Sequence, residues 1–150
     1  MPKKIKFRKV QKGTLKGLSK GAKTVWFGEY GLEALEPSRV SAQQIEAMRI
    51  TLSRHLRKKG DSFLRVFPDK PVTKKPAETR MGKGKGNPEI WVSVVKRGRI
   101  VCEVSGVDEA YARKVLKLAS YKLPMKTRVV KKGQETTTLK NQTVVSELTE

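Results

Sequence analysis

Apolar residues recur at helical spacing in two stretches of the chain. In "SAQQIEAMRITLSRHLRKKG" (41–60) Ile45, Met48, Leu52 and Leu56 fall on one face of a helix. Ser41 stands at its N-cap with Gln44 in the capping-box position, and Gly60 supplies the stop. In "DEAYARKVLKLASYKLP" (108–124) Tyr111, Val115, Leu118 and Ala119 make the apolar face, Asp108 and Glu109 open the helix, and Pro124 ends it. Elsewhere the pattern is that of strands. Residues 25–30, 62–67, 89–96, 99–104 and 126–132 are short runs rich in branched and aromatic side chains. Residues 89–96 and 99–104 alternate on either side of Arg97-Gly98, as in a hairpin. The order β-α-β-β-β-α-β predicts an α+β fold: a two-layer domain with a mixed or antiparallel sheet on one side and two helices on the other. Trp26, Phe27, Phe63, Phe67 and Trp91 lie in the predicted strands and are expected in the core, with one or two free to stack on exposed bases.

Three stretches carry no such pattern. Residues 1–24 hold few apolar side chains and are broken by Gly13, Gly17, Ser19 and Gly21, so they form no core of their own and read as an arm that orders on a partner. Residues 133–150 are polar and threonine-rich, and read as a disordered tail. Between them the chain divides as a domain over 25–132, interrupted by 21 residues (68–88) without regular pattern. Irregular loops of that length inside a compact domain are uncommon and usually functional or disordered. Pro68, Pro71, Pro76 and Pro88 stiffen its two stems, and "TRMGKGKGNPE" places a bare glycine-rich backbone at its tip.

Charge separates these stretches further. The 150 residues suit one domain, and 34 Lys and Arg against 14 Asp and Glu leave a net charge of +20. No domain needs that excess to fold, because self-repulsion opposes compactness, so it points to a polyanionic partner. The arm carries Lys3, Lys4, Lys6, Arg8, Lys9, Lys12, Lys16, Lys20 and Lys23 with no acid. Arg49, Arg54, Arg57, Lys58 and Lys59 crowd toward the end of the first helix, where cations also suit the helix dipole. The long loop adds Lys70, Lys74, Lys75, Arg80, Lys83 and Lys85.

Other chemistries find little support. The glycine-lysine run lacks the Lys-Ser/Thr pair and the following helix of a nucleotide-binding loop, and it lacks the third glycine of a dinucleotide fingerprint. His55 is the one histidine and falls on a helix surface; Cys102 alternates with Ile100 and Val104 as a core residue. The carboxylates form no acid–base pair. Catalytic residues, metal ligands, cofactors and a small-molecule substrate are therefore not expected. The beginning "MPKKIKFRKV" has no apolar core of a secretory signal and no run approaches a membrane span, so a soluble intracellular protein without membrane partners is expected.

"KFRKVQKG", "FGEYGL", "SAQQIEAMR", "RVFPDKPVTKKPAETRMGKGKGN" and "KLASYKLPMKT" follow in that order. Together they resemble the bacterial and organellar family of ribosomal protein L-sixteen of the large subunit, over residues 3–132. The resemblance implies a hammerhead-type α+β domain and a place in the bacterial cytoplasm or an organelle matrix. It implies binding to large-subunit ribosomal RNA beside neighbouring ribosomal proteins and near the A-site tRNA, with no catalysis. The arm is implied to lie on RNA. The loop tip, Arg80, Met81, Gly82, Lys83, Gly84, Lys85 and Gly86, is implied to reach toward the peptidyl transferase centre. The family's pattern assigns nothing to residues 133–150.

Overall fold

A computed structural model describes residues 2–57 and 59–134. Its elements are β1 (Tyr30–Ala34), β2 (Ser38–Ser41), α1 (Ala42–Leu56), β3 (Asp61–Leu64), β4 (Lys70–Lys74), β5 (Asn87–Val95), β6 (Ile100–Ser105), α2 (Glu109–Ser120) and β7 (Thr127–Lys131). The fold is α+β, as the sequence predicts, but the strands divide into two sheets. One has the order β3-β6-β1-β7 and the other β2-β5-β4, and every ladder in them is antiparallel.

Both helices start where their caps dictate. Ser41 Oγ accepts the Gln44 N–H at 3.2 Å and Gln44 Oε1 accepts the Ser41 N–H at 2.9 Å, closing the capping box. The buried stripe of α1 is Ile45, Met48, Leu52 and Leu56. Its end differs from expectation. The helix stops at Leu56, with Arg57 at φ 42° returning its N–H to Ser53 O, and Gly60 plays another part. A Cβ on Gly60 would lie 2.5 Å from Ser105 O, so glycine there allows β3 to approach β6. On α2 the buried residues are Ala112, Val115, Leu116 and Ala119, about a quarter-turn from the expected face. Tyr111 is half-buried instead, its hydroxyl donating to His55 O at 2.6 Å and joining the two helices.

The main core lies between the helices and the four-stranded sheet, where Leu32, Cys102 and Val104 meet Met48, Leu52, Leu56, Val115 and Leu116. The opposite face of that sheet is covered by the chain around Val25, which packs on Ile100 and Val130. Residues 25–30 are therefore not the first strand; they lie across a sheet whose first strand begins at Tyr30. The hairpin expected at Arg97-Gly98 is also absent. β5 pairs with β2 and β4, β6 pairs with β1 and β3, and the turn between them passes from one sheet to the other, with Gly98 N–H donating to Ala34 O at 2.7 Å. The tail expected over 133–150 falls, beyond Gln134, outside the described residues.

Candidate nucleic-acid interface

The long loop is a hairpin that the sequence pattern hid. β4 runs beside β5 with Lys70 opposite Val92, Pro71 opposite Trp91 and Val72 opposite Ile90, and the register slips before Thr73 opposite Pro88. Proline masked β4 as a strand, yet β4 is the sheet edge, where a missing N–H breaks no ladder. The irregular part shrinks to residues 75–86. Its glycines do different work. A Cβ on Gly86 would stand 2.5 Å from Lys74 O, so glycine closes the neck of the finger. Gly82, Lys83 and Gly84 have φ of 98°, 54° and 90°, a left-handed run with open space where a Cβ on Gly82 or Gly84 would stand. Lys75 Nζ donates to Gly82 O at 2.7 Å and holds the tip in place. Arg80, Lys83 and Lys85 are exposed, and Met81 is 93% exposed.

The basic arm lies along this finger. Lys9 Nζ donates to Lys85 O at 2.8 Å, and Lys85 Nζ donates back to Val10 O at 2.7 Å. Nearer the sheet, Lys12 O accepts from Lys70 Nζ at 2.7 Å and from Arg39 at 3.2 Å, and Arg39 also donates to Gly13 O at 3.0 Å. Leu18 then bridges Arg97, and Ala22 O accepts from Ile100 N–H. The ammoniums of Lys9, Lys70 and Lys85 each have three donors and spend one on a carbonyl, so two remain for anions. Lys9, Lys12, Lys70, Lys85 and Arg39 are thus gathered on one surface through backbone carbonyls, and among the described residues no ion pair engages any of them. Such a surface repels itself until a polyanion settles on it.

The remaining expected positions are less concentrated. Lys3, Lys4, Lys6, Arg8, Lys16 and Lys20 are exposed along the arm, and Lys74 is exposed at the neck of the finger. Arg49 is clasped by Glu46 at 2.9 and 2.6 Å; that bond holds the Glu46 carboxyl below its usual range and takes up part of the arginine. Arg54 and Lys59 are exposed, Arg57 Nε donates to Arg54 O, and Lys58 lies outside the described residues. Among the described residues no hydrogen bond or ion pair joins these helix cations to the arm or the finger. Arg39 was missed by sequence reasoning, because a single arginine on a short strand gives no signal until the arm is seen against it.

Aromatic placement departs most from expectation. Trp26 is 70% exposed, Phe27 58% and Phe67 55%, while Phe63 and Trp91 are half-buried. None of the five belongs to either core cluster, and the outer face of the four-stranded sheet is closed by Val25 and by ion pairs instead of by rings. The carboxylates are structural: buried Glu33 pairs with Arg128 and buried Glu103 with Arg65. Cys102 is buried, and that burial, with the Glu103 charge beside it, pushes its thiol up to about 12. Among the described residues no group of His, Cys, Asp and Glu converges to hold a metal, and no helix is long and apolar enough to cross a membrane.

Comparison with known proteins identifies the family. The family described as "Ribosomal protein L16p/L10e" matches residues 2–130. The large ribosomal subunit protein uL16 of Heliobacterium modesticaldum is 54% identical over 134 residues, covering 89% of this chain and 93% of the relative. The large ribosomal subunit protein uL16 of Thermus thermophilus is 55% identical over 132 residues, covering 88% and 94%. The two-sheet domain, the basic arm and the glycine-lysine finger all fall within the matched span, and the chain belongs to the ribosomal protein L16p/L10e family.

Proposed function

We propose that the chain is a structural constituent of the large ribosomal subunit, not an enzyme, and that it binds large-subunit ribosomal RNA through the joined arm and finger. The two relatives are bacterial, which favours a ribosome in the bacterial cytoplasm. One observation carries the RNA-binding part: Lys9 donates to Lys85 O, 76 residues away in sequence, and Lys85 donates to Val10 O, which makes two basic segments into one surface. Phosphates settling there release counterions and relieve the repulsion among its lysines. Readout of base sequence is minor, since folded RNA is recognised by shape, backbone and 2′-hydroxyls. The finger's exposed tip, with Arg80 as its planar donor, extends this contact toward the A-site tRNA and the peptidyl transferase centre. The paired Arg49 and the exposed Arg54, Arg57 and Lys59 fix orientation on neighbouring RNA.

The triple substitution Arg80→Ala, Lys83→Ala, Lys85→Ala tests the finger. The variant is expected to melt within a few degrees of the parent and to sediment with the large subunit, while ribosomes carrying it elongate more slowly. If the melting temperature collapses instead, the finger is structural. If the parent chain stays at the top of a sucrose gradient after a moderate salt wash, the ribosomal reading itself falls.

A further inference from the structure

The segment that crosses the outer face of the four-stranded sheet presents two aromatic rings to solvent and is held as if their position mattered. Three consecutive N–H groups, of Trp26, Phe27 and Gly28, donate to one oxygen of Glu103 at 3.0, 2.6 and 2.8 Å. Glu103 is fully buried and its other oxygen pairs with Arg65. Lys132 Nζ donates to Trp26 O at 3.2 Å, and Gly28 lies so close to β6 that a Cβ would stand 2.6 Å from Val104 O. A buried charge, a tight backbone approach and a lysine thus fix a corner whose side chains gain little from the core.

The corner itself is built in layers. Phe27 stacks on Phe63 with centroids 5.8 Å apart and planes at 27°, and the Arg65 guanidinium lies 5.1 Å from the Phe27 centroid. Trp26, the more exposed ring, has no such partner among the described residues. Arg65, Lys23 and Lys132 are the cations in and beside the segment, and Glu29 is the exposed carboxylate there; Lys131 turns to the helix side of the sheet and pairs with Glu109 at 3.3 Å. Apolar rings set among cations suit a planar, electron-rich group that arrives with its own negative charge, which a nucleotide supplies and an apolar protein surface does not.

We infer that Trp26, backed by the Phe27–Phe63–Arg65 stack, is a stacking platform for one unpaired nucleobase of RNA, with Lys132 placed for the adjoining phosphate. The inference rests on the RNA-binding reading but concerns a different face from the arm and finger.

The test uses the full chain with Trp91→Phe, which leaves Trp26 as its one tryptophan. It is titrated with single-stranded oligoriboadenylate of about ten nucleotides, within the usual site size for single strands, and separately with inorganic polyphosphate of equal charge at the same salt. Fluorescence polarisation of labelled oligonucleotide, direct or in competition, reports binding independently. Quenching of Trp26 by the oligonucleotide and not by polyphosphate is expected. Trp26→Ala is expected to weaken oligonucleotide binding about fivefold or more, the low end of base–aromatic stacking, and Trp26→Phe to restore most of it. Binding that saturates without quenching, or quenching that polyphosphate matches, overturns the platform and leaves the arm and finger standing. Failure of the oligonucleotide to bind even at low salt overturns both.

Discussion

At the scale of single residues, Glu103 carries more of the structure than its place in an apolar strand suggests. Its fully buried carboxylate meets Arg65 on one side and three backbone N–H groups on the other. Removing one partner of a buried pair leaves the other charge and the donors without acceptors, which costs on the order of 3–5 kcal/mol. Glu103→Ala is therefore expected to lower the urea midpoint sharply, and Glu103→Gln, which keeps one acceptor, less so; an unchanged midpoint for Glu103→Ala would show that water replaces the carboxylate. None of this was legible in sequence, because Trp26 and Arg65 are 77 and 38 residues from Glu103. Its neighbour Cys102 was legible as a core residue from alternation alone. A thiol raised to about 12 by burial is protonated through the neutral range. The folded protein should thus stay inert to a disulfide-exchange reagent at neutral pH and react once urea unfolds it; rapid reaction when folded would mean that β6 opens.

Elements were legible wherever the signal was local. α1 is set by its cap and stripe, both contained within sixteen residues, 41–56. Ser41→Ala removes one half of the capping box while β2 still fixes the chain before it, so a loss of about 1 kcal/mol is expected, read as a lowered thermal midpoint. A loss several times larger would place Ser41 in the β2–β5 ladder's energetics more than in the helix's. β4 shows the opposite case. Its prolines and lysines argue against a strand, and only the presence of β5 alongside, with β4 at the sheet edge, makes the pairing possible. The extent of the finger follows from this: its stem is a two-stranded ladder, and glycine is needed at its neck, at Gly86, and at its tip. The hairpin expected between β5 and β6 failed for the same reason, since alternation identifies a strand and says nothing of its partner.

For the whole molecule, charge was the property best read from sequence, and its arrangement the least. The arm was legible as basic and coreless, but nothing in its composition says that Lys9, Val10, Lys12 and Gly13 lie against the finger and β2. The cores offer no place to the arm, since no residue before Val25 belongs to either cluster. Removing residues 2–12 takes away Lys3, Lys4, Lys6, Arg8, Lys9 and Lys12 together with the bonds they make to the finger. Two consequences separate an RNA-binding arm from a structural one. The truncated chain should keep a cooperative melt near the parent's, because neither core cluster loses a residue. Its affinity for ribosomal RNA should lose salt dependence: each phosphate contact contributes roughly 0.7 to 0.9 to the slope of log K against log salt, so losing several arm contacts should flatten it by about 3 to 5. A slope that does not change would place the phosphate contacts on the finger and the helix cations alone. A collapsed melt would mean that the lysine–carbonyl bonds hold the finger's fold and that the arm serves the protein before it serves the RNA.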